Sequence, residues 1–169
     1  MRKKILIISG GISKERSVSL DTGLQVANEL KKNGYKIKIC EPNYKLTNLV
    51  KSYKPNIIFN ALHGQYGEDG YIQSILEHIG LPYTHSGVLA SAKAMDKEVS
   101  KKIFIQNKIL TPKYIKYSFD QKYSVLDKNI EKKLKYPVVI KPFNEGSSVN
   151  VYICNKLNLK NKLKKLKDY

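Results

Sequence analysis

Arginine is nearly missing from this chain. Only Arg2 and Arg16 occur among 31 basic residues in a length of 169, although arginine dominates the recognition of bases and phosphates in nucleic-acid-binding proteins. The scarcity matters because the formal net charge of +17 by itself invites a polyanionic partner. The lysines that supply the charge are dispersed. Residues 1–95 carry 13 Lys/Arg against 7 Asp/Glu, and residues 96–169 carry 18 against 7, with a local cluster at Lys160, Lys162, Lys164, Lys165 and Lys167. An excess of Asn, Ile and Tyr accompanies them as a general compositional drift. The charge therefore reads as solvated surface, with weak nonspecific polyanion binding as the runner-up. Long apolar runs are missing too: none approaches the ~18 residues that a membrane span requires. Met1 to Lys4 opens like the start of a signal peptide, but the apolar run after it, Ile5 to Ile8, stops at Ser9-Gly10-Gly11 and is too short to be one. Cys40 and Cys154 stand alone, with neither metal spacing nor a disulfide framework. These absences predict a soluble protein of the reducing cytoplasm with no nucleic-acid and no membrane partner.

What is present is the ordinary material of a globular protein, 41% apolar and 27% charged. The most informative stretch is Pro137 to Ile153, PVVIKPFNEGSSVNVYI. It predicts a buried strand at Val138–Ile140, a polar loop of small residues, and a second strand alternating Val149, Val151 and Ile153. Lys141 ends the first strand, and Gly146, Ser147 and Ser148 sit at the loop tip. Backbone N–H groups in such a tip can close over phosphate oxygens, glycine permits the close approach, and lysine supplies a point charge. An ordinary hairpin loop has the same pattern, so this motif needs support from the rest of the chain.

Upstream, Lys4 to Ser9 is the apolar run of a strand buried on both faces. A helix is predicted from Lys14 or Glu15 through Val18, Leu20, Val26 and Leu30 to Asn33-Gly34. A strand at Tyr35–Cys40, a short helix at Leu46–Tyr53 and a buried strand at Ile57–Leu62 complete a β-α-β-α-β rhythm, which specifies a parallel sheet flanked by helices. Ligands of such sheets bind beyond the carboxyl ends of the strands. The loops found there are GGISKERSVSL, with Glu15 near the helix start, and HGQYGEDG, with His63, Glu68 and Asp69 among three glycines. Each has a bland alternative: the helix dipole favours an acid such as Glu15, and His63 fits a satisfied structural histidine. GGxSxER lacks the third glycine of a dinucleotide fingerprint, so a nicotinamide site is weak.

A helix over Tyr71–Ile79 with Ile72, Ile75, Leu76 and Ile79 inward follows, then a small-residue helix at Val88–Ala94. Near residue 95 the character changes, and we place a domain boundary there. Asp96 caps a helix from Lys97 to about Asn107 with Val99, Ile103 and Phe104 inward. Tyr114–Ser118 reads as a strand, residues 119–135 as a loop and a helix, and Lys156–Tyr169 as an amphipathic helix covering the hairpin. The second unit, 96–169, thus has about three strands and three helices.

Taken together and in order, GGISKERSVSL, ALHGQYGEDG with LPYTHSGVLASAKAMDK, and YPVVIKPFNEGSSV strongly resemble the D-alanine–D-alanine ligases of the ATP-grasp superfamily. The resemblance covers at least residues 4 to 153. It implies an α/β fold: a Rossmann-like parallel-sheet substrate domain at 1–95, then the small α+β lobe of an incomplete ATP-grasp domain at 96–169. It also implies an ATP-dependent reaction in which one D-alanine becomes an acyl phosphate and the amine of a second attacks it, for peptidoglycan. Residue by residue, Glu15 would hold the ammonium of the first D-alanine, with His63 beside it and Glu68 supporting His63. Ser147 would join Glu15 in an ordering network, and Glu15 and Ser147 would be the catalytic pair. Lys97, Lys141, Glu145, Gly146, Ser147 and Ser148 would bind ATP. Magnesium or manganese would be required, but no metal ligand is assigned here: the family's metal-binding residues lie in a further C-terminal region, as do a phosphoryl-stabilising arginine and a tyrosine of the serine network. That region implies a fragment or a split enzyme with a separate C-terminal half, inactive alone. Homodimerisation through the N-terminal domain is typical of the family. Asn150 stands where the family usually has glycine, and asparagine tolerates left-handed backbone. A related ligase making a D-Ala–D-Lac or D-Ala–D-Ser product, and a non-catalytic ligand-binding or dimerisation module, are the alternatives.

Overall fold

The computed structural model describes residues 3–146 and 150–167. The chain divides into two compact units, Met1–Met95 and Asp96–Tyr169.

The first unit is built on β1 (Lys4–Ile8), which pairs in parallel with β2 (Lys36–Cys40) on one side and β3 (Ile57–Asn60) on the other, giving the order β2-β1-β3. The central strand is the run of aliphatic residues, as it must be when both faces are covered. Its alternate side chains feed two cores. Leu6 and Ile8 join Ile58, Leu46, Val50, Leu62, Ile72 and Leu76, while Ile5 and Ile7 join Ala27 and Ala61. Helices α1 (Arg16–Lys32), α2 (Leu46–Tyr53), α3 (Tyr71–Ile79) and α4 (Val88–Met95) surround the sheet. The segment 82–85 lies beside β3, where Tyr83 bridges Ile58 in parallel and Asn60 N–H donates to Thr84 Oγ1 at 3.0 Å.

In helix α1 the residues that face the sheet are not the aliphatic ones. Val18 is exposed, and the line that faces the sheet is Ser19, Gly23 and Ala27, at four-residue spacing, with Val26 and Leu30 only partly buried beside it. Small residues win because the helix lies against β1. A Cβ on Gly23 would stand 2.6 Å from Ser9 Cβ, so any larger side chain would lift the helix off the strand.

The second unit contains α5 (Lys97–Gln106), α6 (Tyr123–Lys133), the antiparallel pair β4 (Val138–Ile140) and β5 (Tyr152–Cys154), and α7 (Leu159–Lys167). Its core is Leu126 and Ile130 from α6, Val138 and Cys154 from the hairpin, and Leu159 and Leu163 from α7. Asp96 caps α5 as expected, its Oδ1 accepting from the N–H groups of Glu98 and Val99 at 2.8 and 2.9 Å. Three expectations fail. β4 is not a buried strand: successive side chains alternate faces, and Val139 is 57% exposed between buried Val138 and half-buried Ile140. No residue of α5 is buried, and Phe104 is exposed. Residues 114–118 form no strand, so the described part of this unit has two strands. Ile115 and Tyr117 do pack against the α6–α7 core, which accounts for the alternation without any ladder. Val149 lies outside the described residues.

Candidate functional site

The residues singled out near the carboxyl ends of β1 and β3 come together through α1. Glu15 is the flanking residue before the first helical position, Arg16. One turn on, Ser19 donates to the carbonyl of Ala61 at 2.7 Å and accepts from Gly10 N–H at 2.8 Å. A further turn on, Thr22 Oγ1 lies 3.0 Å from His63 Nε2. A single polar stripe of α1 therefore binds the ends of both strands to the helix start. Ser13 adds a second tie, donating to the His63 carbonyl at 2.7 Å.

The loop from His63 to Gly70 is shaped from beneath by two fully buried amides. Asn60 Nδ2 and Gln73 Nε2 both donate to the Gly67 carbonyl, at 3.0 and 2.9 Å. Their oxygens accept from Leu62 N–H and Gly70 N–H, at 3.1 Å each. Such buried groups are costly unless satisfied, and here they bond to the backbone of the loop and of Leu62 just before it. The fold of the loop lets Glu68 reach back: its Oε2 accepts from Gly64 N–H at 2.9 Å, and its Oε1 lies 3.6 Å from His63 Nδ1. Gly64 has φ +70°, and a Cβ there would fall 2.2 Å from Glu15 Oε2. The loop is thus laid directly against the Glu15 carboxyl group, where only glycine fits.

Glu15 itself is buried, 6% exposed, and its Oε1 has no hydrogen-bond partner among the described residues. A buried carboxyl oxygen without a donor is expensive. The partner that satisfies it must carry hydrogens to donate, and an ammonium group meets that need best.

In the second unit, Lys97 opens α5 and grips the loop after β4. Its N–H donates to the Phe143 carbonyl at 3.1 Å, and its Nζ donates to the Phe143 carbonyl at 3.3 Å and to the Glu145 carbonyl. Partial burial and then the Lys141 charge lower the Lys97 pKa, opposed by Glu145 and Asp96. Lys101, one turn along, is lowered by the same two causes, and its Nζ donates to Thr111 Oγ1 at 2.9 Å and to the Pro112 carbonyl at 2.6 Å. Lys97, Lys101 and Lys141 therefore form one cationic cluster, which an anion would relieve. Lys141 follows β4 directly and is exposed, while Glu145 and Gly146 are half-buried. Ser147 and Ser148 lie outside the described residues. Asn150 adopts φ +54°, the left-handed conformation open to glycine, and its Oδ1 accepts from Tyr152 O–H at 3.1 Å. Among the described residues no group of three or more His, Cys, Asp or Glu side chains could hold a metal ion.

Sequence reasoning missed Thr22, Asn60, Gln73 and Lys101. Thr22 and Lys101 were detectable by helical spacing, seven residues after Glu15 and four after Lys97. Asn60 and Gln73 carried a weaker signal, as polar residues at otherwise apolar positions of a strand and of a helix face.

Two family models match the chain: the D-ala D-ala ligase N-terminus over residues 41–86 and the D-ala D-ala ligase C-terminus over residues 103–169. A D-alanine–D-alanine ligase from Pelagibacter ubique is 66% identical over all 169 residues, which cover 56% of its length. Among solved structures, a D-alanine–D-alanine ligase from Bacillus anthracis superposes with a TM-score of 0.83 at 37% identity, covering 98% of this chain and 54% of that one. The same enzyme complexed with ATP gives 0.79 at 36% identity, over 98% and 55%. The chain thus spans about half the length of the relatives it matches.

Proposed function

The chain belongs to the D-alanine–D-alanine ligase family, and from that premise we propose that it takes part in the ATP-dependent joining of two D-alanines for peptidoglycan. The observation that carries this reading is the orphaned Glu15 Oε1, buried at the mouth of a loop that only glycine could bring so close. In this reading the first unit is the substrate domain. Glu15 receives the ammonium of the first D-alanine, His63 stands beside it, and Glu68 orients His63. A carboxylate at this depth selects a cation.

The second unit is then the small lobe that covers ATP. A carboxylate oxygen of the first D-alanine attacks the γ-phosphorus, the bond to ADP breaks, and a D-alanyl phosphate forms. The amine of the second D-alanine, having lost a proton, attacks the acyl carbon and expels phosphate. Bringing a carboxylate against a triphosphate requires positive charge nearby. Lys97 and Lys141 supply it, and Lys97 also holds the Phe143 and Glu145 carbonyls of the loop after β4. Ser147 and Ser148 belong to the proposal by family resemblance alone, since both lie outside the described residues. A magnesium or manganese ion, when bound, neutralises phosphate charge; no residue of this chain is assigned to it. Homodimerisation through the first unit and a cytoplasmic location complete the proposal. Readings as a D-lactate or D-serine ligase, or as a non-catalytic module, have no specific observation in their favour.

The test is binding by the chain itself. Carbon-13 labelling of glutamate side chains should show the Glu15 carboxyl signal moving on addition of D-alanine, and not with propionate, which lacks the amine. ATP should bind weakly, and Lys141→Ala should abolish that binding. A Glu15 signal indifferent to D-alanine would remove the substrate assignment, and nucleotide binding untouched by Lys141→Ala would remove the phosphate assignment.

A further inference from the structure

We propose that Thr22 is the positioning residue of His63: its hydroxyl donates into the Nε2 lone pair and so fixes the neutral imidazole as the Nδ1–H tautomer, turned towards Glu68. The inference rests on the reading above only in treating His63 as part of the substrate pocket.

The argument is one of donors and acceptors. A neutral imidazole has one N–H and one lone pair, and its neighbours decide which nitrogen carries which. On one side of the His63 ring, Glu68 Oε1 lies 3.6 Å from Nδ1, and a carboxylate oxygen can only accept. On the other side, Thr22 Oγ1 lies 3.0 Å from Nε2, and a hydroxyl can donate or accept. One assignment satisfies both contacts, with the proton on Nδ1 and the hydroxyl of Thr22 donating to Nε2. The opposite tautomer would turn the Nδ1 lone pair towards a carboxylate, which is repulsive.

Thr22 is in the wrong place for a purely local role. A threonine inside a helix ordinarily returns its hydroxyl hydrogen to the carbonyl four residues back. Here the hydroxyl is directed across to the end of β3. It shares a face of α1 with Glu15 and Ser19, the residues that meet Gly64 and Ala61. The His63 backbone is held separately by Ser13, so the ring orientation is the variable that remains for Thr22 to set. With its Nε2 lone pair engaged, His63 acts as an orienting hydrogen-bond group rather than as a proton acceptor.

The experiment uses the nitrogen-15-labelled chain at alkaline pH, where long-range proton–nitrogen spectra separate the two tautomers of each imidazole. His78 and His85 serve as internal references. Wild-type protein and Thr22→Ser should both show His63 as Nδ1–H. In Thr22→Val, which keeps the shape and loses the hydroxyl, that preference should collapse towards Nε2–H while His78 is unmoved. Thr22→Ala is the second variant should valine prevent folding. A second arm measures D-alanine affinity, which should weaken about fivefold in Thr22→Val and be retained in Thr22→Ser, the size of one ordinary hydrogen bond. An Nε2–H ring in wild type, or an unchanged tautomer in both folded variants lacking the hydroxyl, would overturn the inference. Failure of wild-type protein to bind D-alanine would instead count against the pocket's proposed substrate, and the tautomer result would still decide this proposal.

Discussion

The first unit covers its sheet on both faces, whereas the second covers its hairpin on one. In the first, β1 has four consecutive residues at 7% exposure or less, because each side meets a different packed layer. In the second, Val138 and Cys154 are buried beneath α6 and α7, while Val139 and Ile153 on the other face are 57% and 73% exposed. Twelve of the eighteen buried apolar residues among those described belong to the first unit. The difference also separates the two kinds of site. The surroundings of Glu15 are defined by buried hydrogen bonds, and the lysine cluster by charge on partly exposed side chains.

The largest consequence concerns stability. Leu6→Ala, at a fully buried position of β1, should cost about 4 kcal/mol, and Leu159→Ala on α7 about 2–3 kcal/mol because its thinner surroundings can collapse more readily. Denaturant unfolding of each variant, followed by hydrogen exchange of the two units separately, checks the ranking; equal costs would break the comparison. Next in size is a pair within the hairpin. Val138→Ser should cost about 2 kcal/mol, whereas Ile153→Ser on the open face should stay within about 0.5 kcal/mol. Thermal melts of the two variants decide whether that face is open in solution, since a similar loss in both would mean that it is covered.

The smallest effect is electrostatic. Hydrogen bonds from Lys102 and Lys116, at 2.8 and 2.6 Å, hold the Glu98 carboxyl near pKa 2 against its ordinary 4.5. A folded-state value below the unfolded one means that the contribution is complete above pH 4.5. It is lost as pH falls from there through about 2. Glu98→Gln should therefore be less stable than wild type at neutral pH, with the gap closing across that acidic window. The difference will be slight because the carboxyl group and its partners are solvated, and its persistence below pH 2 would show that the carboxylate is not responsible.

Much of the first unit was legible because its strands carry the signal of burial on both faces. KILIIS and the Ile57–Phe59 run could hardly be anything but central or near-central strands, and α2 and α3 fall where their periodicity put them. The glycine-rich HGQYGEDG loop was legible as a place of close approach, though not what approaches: the glycine spacing contains nothing about the Glu15 carboxyl group. In α1 the aliphatic residues marked the helix but not its buried line, which contact distance rather than hydrophobicity chose. In residues 114–118 the alternation of Ile115 and Tyr117 was real, but burial by α6 and α7 produces it as well as strand pairing does.

By itself, the sequence determined the order of strands and helices in the first unit, the parallel sheet, the hairpin with its lysine, and the family to which these loops belong. Those features are local, written in periodicity, turn residues and motif spacing over at most a few tens of residues. Tertiary structure alone decided that Asn60 and Gln73 converge on one carbonyl, that Thr22 meets His63, and that Glu15 keeps an oxygen with no partner among the described residues. Each of these depends on the distance between elements far apart in the chain, which packing volume sets and which no local pattern records.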